Sequence, residues 1–147
     1  MATQLKPLVN MSETNPNCPK TGEFSWNELI TADTAASGAF YHQLFGWEVA
    51  PIVRPEPSPN LPPYFMFKIG ASPMCLGGMV PPMHPSISNH WMPYVVVDNA
   101  DVSLAKAVEL GAKVCVPVIV VPNVGRITVI MDPLGAIIGM HELPKPA

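Results

Sequence analysis

The chain has 147 residues, of which 48% are hydrophobic and only 13% charged, with a formal net charge of −3; a typical globular chain is roughly 25% charged. This is about one domain's worth of sequence with ample apolar side chains for a core, and it excludes the composition of a disordered chain. The charge balance leaves no basic footprint for nucleic acid, and no stretch approaches the ~18 consecutive apolar residues of a membrane span.

Residues 1–22 are polar and proline-bearing, without the apolar core of a secretory signal, and read as an extended or disordered arm. From Phe24 the pattern changes. Phe24, Trp26, Leu29 and Ile30 mark a strand that runs to Ala32 and Asp33. Ala36, Ala39, Phe40 and Phe45 then recur at helical spacing, and Gly46 stops the helix. Gly38 weakens this helix, because an interior glycine costs ~1 kcal/mol against alanine. The segment PIVRPEPSPNLPP is too proline-rich for a central strand or helix and reads as an exposed loop or sheet edge. Strands follow on either side of the turn ASP, and a second proline-rich segment closes the first half.

The same grammar then returns. Trp91 answers Trp26, Asp98 answers Asp33, Ala100 answers Ala35, Gly111 answers Gly46 and Val114 answers Val49. The second helix, Ala100 to Leu110, carries Val102, Leu104, Ala105, Ala107, Val108 and Leu110 on a broad apolar stripe. A weaker echo follows, with GRITVIMDPLGAIIGMH lying against YFMFKIGASPMCLGGMV, so that Ile130 answers Ile69, Gly139 answers Gly78 and Met140 answers Met79. Asp33 and Asp98 read as caps that accept hydrogen bonds from the first helical turn. Each unit is therefore strand, helix and three strands, and each completes a structure that the other half-builds. The division is an arm at 1–22, a first βαβββ module at 23–82, a linker at 83–90, a second module at 91–143 and a tail at 144–147.

The segments WNELITADTAASGAFYHQLFGW, WMPYVVVDNADVSLAKAVELGAKV and PNVGRITVIMDPLGAIIGM resemble the vicinal oxygen chelate superfamily. That superfamily includes glyoxalase I, extradiol dioxygenases, fosfomycin-resistance enzymes and bleomycin-binding proteins. The resemblance covers residues 24 to 142 and is nearest to its glyoxalase-related group. It implies an α+β fold of two tandem βαβββ modules, forming a curved mixed sheet around a cleft with the helices outside.

In metal-dependent members each module supplies one ligand from its first strand, usually histidine, and one from its last, usually glutamate. The matching positions here are Trp26 and Trp91 on the first strands, and Gly78 and Gly139 on the last. Neither tryptophan nor glycine offers a side-chain donor suited to Zn, Ni, Fe or Mn, so the resemblance implies a cleft without the usual metal and without a cofactor. Glycines at 78 and 139 remove bulk in front of the tryptophans, which is either plain packing or a slot for a planar ligand.

Strand alternation gives the other cleft-facing residues. Glu28 shares the face of Trp26, and His141 that of Gly139. Glu28 is either a general base or ligand anchor with a pKa raised by desolvation, or a structural carboxylate paired to backbone donors or Arg126. His141 is either a partner or proton carrier for Glu28, or a solvent-facing rim histidine. Arg126 either anchors an anionic ligand or forms a structural salt bridge. His42, His84 and His90 read as surface residues, and Cys75 as a buried inert thiol facing away from the cleft. Cys18, Cys75 and Cys115 are odd in number and irregularly spaced, which suggests reduced thiols in a cytoplasmic protein.

The function expected is the binding of a small hydrophobic or planar molecule in a metal-free, aromatic-lined cleft. Trp26, Glu28, Gly78, Trp91, Arg126, Gly139 and His141 line it, and Glu28 is the candidate catalytic group. A lyase, isomerase or dioxygenase-type enzyme of the same superfamily is the alternative, and an interaction module that kept only the fold is another. The low charge favours a homodimer, with no nucleic-acid or membrane partner.

Overall fold

The computed structural model describes residues 18–52, 61–72 and 75–145. The elements follow the βαβββ grammar twice: β1 (Phe24–Ile30), α1 (Thr34–Phe45), β2 (Glu48–Pro51), β3 (Phe65–Lys68) and β4 (Cys75–Val80), then β5 (His90–Val96), α2 (Ala100–Glu109), β6 (Lys113–Val121), β7 (Gly125–Met131) and β8 (Ile137–Glu142). The fold is α+β, as the repeat required. Most of the expected arm, and the centre of the proline-rich connection after β2, lie outside the described residues. No helix among the described residues is long and apolar enough to cross a membrane.

Residues 27–92 form one compact unit, and residues 93–147 with the segment ending at Trp26 form the other, so the division falls inside β1 and inside β5. In the first, the strand order is β2-β3-β4-β1. β1 runs parallel to β4, while β2, β3 and β4 form an antiparallel meander. Leu29, Phe67 and Met79 are the buried core, with Tyr41 of α1, Trp47 and Phe65 packed against it. This fixes which face of these strands α1 covers. Gly38 explains how the helix comes so near. A β-carbon there would stand 3.1 Å from Val49 Cγ2 and 3.3 Å from Met79 Cε, so the glycine that weakens the helix locally permits its approach to β2 and β4.

Both ends of α1 are as the sequence indicates. Asp33 Oδ1 accepts from the Ala36 amide at 2.9 Å, and Gly46 takes the left-handed conformation at φ 74° while its amide donates to the His42 carbonyl. The second helix differs. Its cap is Asn99, whose Oδ1 accepts from the Val102 amide at 3.0 Å, and Asp98 instead bonds the Thr21 hydroxyl. Either side chain can cap; the helix begins at Ala100, as expected, and the residue directly ahead of it is Asn99. The apolar stripe of α2 is also wider than its cover, since Val102 and Leu110 remain 66% and 69% exposed.

In this second unit the order is β5-β8-β7-β6, with β5 parallel to β8 and the rest antiparallel. Gly22 and Glu23 bond the backbone of Val96 and so tie the chain ahead of β1 to β5. Pro117 lies in β6 where the pairing with β7 is irregular, which is where a strand tolerates a residue without an amide proton. The turn between β7 and β8 is built by Asp132, whose Oδ1 accepts from the amides of Leu134 and Ala136, both at 2.9 Å.

α2 is fastened at its N-terminus by Glu142 of β8. Glu142 Oε2 accepts from the Ala100 amide at 2.8 Å and from Arg126 Nη1 at 3.2 Å, and the residue is 7% exposed. A carboxylate at the positive end of a helix is favoured by the unpaired amides and the helix dipole. Glu142→Ala strips the buried amide and the guanidinium of their acceptor and is expected to cost about 2–3 kcal/mol. Glu142→Gln keeps a neutral acceptor for Ala100 and should cost less. Urea unfolding of the two variants checks the order, and equal losses would remove the capping role.

Candidate functional site

Three of the residues expected at the cleft lie in the unit of residues 27–92. The parallel register pairs Glu28 with Gly78, and paired residues of adjacent strands point to the same face. Leu29, next along the strand, belongs to the core under α1, so Glu28 faces the opposite side of the strands. It is 8% exposed. Met66 pairs with Gly78 and Val80 with Ile30, which completes an apolar floor around the carboxylate.

The space in front of Gly78 holds a residue that the sequence reading did not single out. A β-carbon on Gly78 would stand 2.2 Å from the Tyr64 hydroxyl oxygen and 2.4 Å from its ring. Tyr64 therefore occupies the place that a side chain at 78 would need, beside Glu28. The bulk admitted by this glycine is a tyrosine and not a tryptophan. The available signal was Gly78 itself, since a glycine inside a strand marks a close approach.

Trp91 is elsewhere in this unit. Its ring centroid lies 6.0 Å from that of Phe67, 5.4 Å from Tyr41 and 6.2 Å from Trp47. Its indole N–H donates to the Tyr41 hydroxyl at 3.0 Å. Phe67 is fully buried in the core and Tyr41 is on α1, so Trp91 joins the α1 side while Gly78 faces away from it. Edge-to-face and tilted contacts of this kind are worth about 0.5–1.5 kcal/mol per pair beyond area burial, and Trp91 makes them while remaining 39% exposed. A shallow apolar hollow of about 230 Å³, lined by Thr34, Ala35, Gly38, Ala39, Val49, Phe65 and Met79, also lies on the α1 side, away from Glu28.

The unit of residues 93–147 holds Gly139, Arg126 and His141, together with Trp26, which is half-buried in β1. Gly139 pairs in register with Tyr94, and a β-carbon on Gly139 would stand 2.2 Å from Tyr94 Cδ1. The second glycine thus repeats the first, with a tyrosine ring in the vacated space. Gly139→Ala is expected to destabilise by about 1–3 kcal/mol through overpacking, and Tyr94→Leu in the same chain should recover part of that loss. A double-mutant cycle by urea unfolding measures it, and strict additivity would contradict the contact.

Arg126 is a structural cation. Nη2 donates to Asp101 at 2.6 Å and Nη1 to Glu142 at 3.2 Å, and the hydrogen bond to Asp101 is the main cause holding the guanidinium above its ordinary range. Its terminal nitrogens are taken by carboxylates, so the anion-anchor reading gives way to the salt bridge.

His141 is not a solvent-facing rim residue. It is 4% exposed, its Nε2 lies 2.6 Å from the Val124 carbonyl, and its Nδ1 lies 3.0 Å from Ser25 Oγ. A carbonyl only accepts, so Nε2 carries the proton and Nδ1 accepts from the serine. Both nitrogens are engaged within this unit, which removes the expected pairing with Glu28. Burial pushes the imidazole pKa below its ordinary 6.5, against a smaller upward pull from Val124. The depressed folded-state value means that the stabilising contribution is present above pH 6.5 and is lost as pH falls toward that value. The reason is that the unfolded chain takes up the proton first. Between pH 7.5 and 5.5 stability should fall with a slope of at most about 1.4 kcal/mol per pH unit from this group, and His141→Gln should flatten it. An unchanged slope in the variant would show that other groups carry it.

Among the described residues, the remaining donors do not assemble a metal centre. His90 Nδ1 lies 2.7 Å from the Ser88 carbonyl, and the exposed His42 faces the Trp47 carbonyl at 2.8 Å. Among the described residues, no three of His, Cys, Asp and Glu come together at a spacing that could hold a metal ion. With tyrosine rings in front of Gly78 and Gly139, the residues present do not fit the superfamily's usual metal. Cys75 is half-buried at the start of β4, and burial raises its thiol pKa, as suits an inert thiol.

No family profile matches the chain. Two curated relatives, from Mycobacterium bovis and Mycobacterium tuberculosis and each named "Putative glyoxylase CFP32", are 35% identical over 128 residues, which is 87% of this chain. Those residues are 46% of each relative, so the chain spans about half the length of the curated relatives it matches. Among solved structures, methylmalonyl-CoA epimerase of Mycobacterium tuberculosis superposes with a TM-score of 0.54 at 15% identity, covering 85% of this chain and 89% of its own. The Streptomyces coelicolor epimerase bound to 2-nitronate-propionyl-CoA gives 0.57 at 16%, covering 86% and 100%. Homoprotocatechuate 2,3-dioxygenase of Brevibacterium fuscum, bound to 3,4-dihydroxyphenylacetate, gives 0.55 at 18%, covering 86% of this chain and 38% of its own. At these identities the solved structures establish the shared fold.

Proposed function

Since this chain belongs to the vicinal oxygen chelate superfamily, we propose that it binds a small hydrophobic or planar molecule without a metal, on the face of its strands that carries Glu28. The observation that carries this reading is a carboxylate only 8% exposed, set on an apolar floor beside a glycine with a tyrosine over it. Apolar area supplies affinity at ~25 cal/mol per Å² removed from water, and a small number of polar groups fixes orientation. The replacement of the superfamily's ligand positions by Gly78 and Gly139, each fronted by a ring, supports a metal-independent mode.

The aromatic lining differs from the sequence expectation in its members. Tyr64 adds a ring on this face, while Trp91 packs on the α1 side. The same carboxylate supports a second reading, an isomerase- or lyase-type step in which Glu28 moves a proton, in keeping with the name of the mycobacterial relatives.

Thermal unfolding in the presence of a panel of small aromatic compounds tests the proposal. At least one compound should raise the midpoint by several degrees, since a ligand at 100 times its Kd adds about 2.7 kcal/mol. The shift should persist in EDTA and shrink in Glu28→Gln. A panel without any shift would overturn the binding reading, and a shift abolished by EDTA would overturn its metal independence. Turnover of a bound compound lost in Glu28→Gln, with binding retained, would move the protein to the second reading.

A further inference from the structure

We infer that the exposed apolar patch of α1, made by Phe40, Leu44 and Phe45 with Trp91 beside them, is the surface on which a second copy of this chain docks.

The composition of the helix is the first observation. TAASGAFYHQLF contains no Asp, Glu, Lys or Arg, and its apolar residues lie on all sides of the helix instead of along one stripe. A helix of that kind is ordinarily buried, yet Gly38 is the one residue of α1 that is buried. The equivalent helix of the second repeat behaves as a helix facing water. α2 carries Asp101, Lys106 and Glu109 between its apolar residues. The contrast within one chain marks α1 as a helix that lacks cover.

The exposed side chains are contiguous. Phe40, Phe45 and Trp91 surround Tyr41, with ring centroids 5.1, 6.1 and 5.4 Å from its own. Leu44 stands one turn beyond Phe40 on the same side of the helix. Phe40, Leu44 and Phe45 are each more than half exposed. An aromatic side chain offers about 150–250 Å² for burial, so the four residues present on the order of 400 Å² of apolar surface. A standard interface buries about 800 Å² per partner, of which roughly 450 Å² is apolar. The patch is therefore of the size that one side of a stable dimer needs.

Charge selects the occupant. A helix without charged side chains has no means of choosing an acidic or a basic partner. A twofold axis sets the same patch against itself, and here it does so without like-charge repulsion. Interface centres are depleted of charge and enriched in aromatic rings, which describes the patch on α1 and not the aliphatic residues of α2.

Sedimentation equilibrium of the full chain tests the inference. A dimer is expected at about 100 µM, well above the micromolar dissociation constants at the weak end for interfaces of this size. Phe40→Glu and Leu44→Lys place a charge in the patch and should each weaken dimerisation roughly tenfold or more. Leu110→Glu, on the exposed side of α2, should leave it unchanged. Both patch residues face water in the single chain, so the variants should fold, and their far-ultraviolet circular dichroism checks this. Hydrogen exchange of the wild type gives a reading that needs no variant: amides of α1 should exchange more slowly at concentrations above the dissociation constant than below it. A monomer at about 100 µM would overturn the inference. So would a dimer that survives both patch substitutions, one that is lost in a folded Leu110→Glu variant, or α1 exchange that does not depend on concentration. Growth beyond the dimer would overturn the twofold arrangement.

Discussion

A tyrosine ring lying over a strand glycine is the contact on which the character of both units depends. Tyr64 covers Gly78 and Tyr94 covers Gly139, each at a distance that leaves no room for a β-carbon. In each unit the glycine belongs to the last strand of the module, which runs parallel to the first. The last strand is where a ligating carboxylate of this superfamily would stand. Here Gly78 and Gly139 stand at the matching positions, and an aromatic ring fills the space in front of each. Restoring a side chain at either glycine alone therefore opposes packing as well as chemistry.

The polar groups near these positions have been given different work. Glu142, two residues along the strand from Met140, is turned to the first amide of α2 and to Arg126. His141 is held between Ser25 and the Val124 carbonyl. Both are buried, and both have found partners inside their own unit, as buried polar groups must. Glu28 is buried in the other unit, on a face where Ile30, Met66 and Val80 are apolar.

Gly38 and Pro117 show how a local rule is broken where packing gains from it. Gly38 lowers the intrinsic stability of α1 but lets the helix approach Val49 and Met79. Pro117 is tolerated inside β6 because the ladder with β7 is already irregular around it. Each is a place where a propensity argument misjudges the element and the tertiary contact supplies the reason.

The sequence by itself determined the α+β class, the doubled βαβββ order, the cap at Asp33 and the stop at Gly46, because all of these are local or periodic signals along the chain. The resemblance it carries implies that Trp26, Gly78, Trp91 and Gly139, none with a ligating side chain, stand at the superfamily's ligand positions. Only the tertiary structure decided what stands in front of the two glycines, since Tyr64 and Tyr94 reach them across strand pairings whose register a single sequence does not specify. The same holds for the cap of α2, where Asp98 and Asn99 are equivalent by type and only the path of the backbone chooses between them. It holds again for Trp91, Arg126 and His141, whose partners in the fold (the Tyr41 hydroxyl, the carboxylates of Asp101 and Glu142, and Ser25 with the Val124 carbonyl) residue type alone does not give.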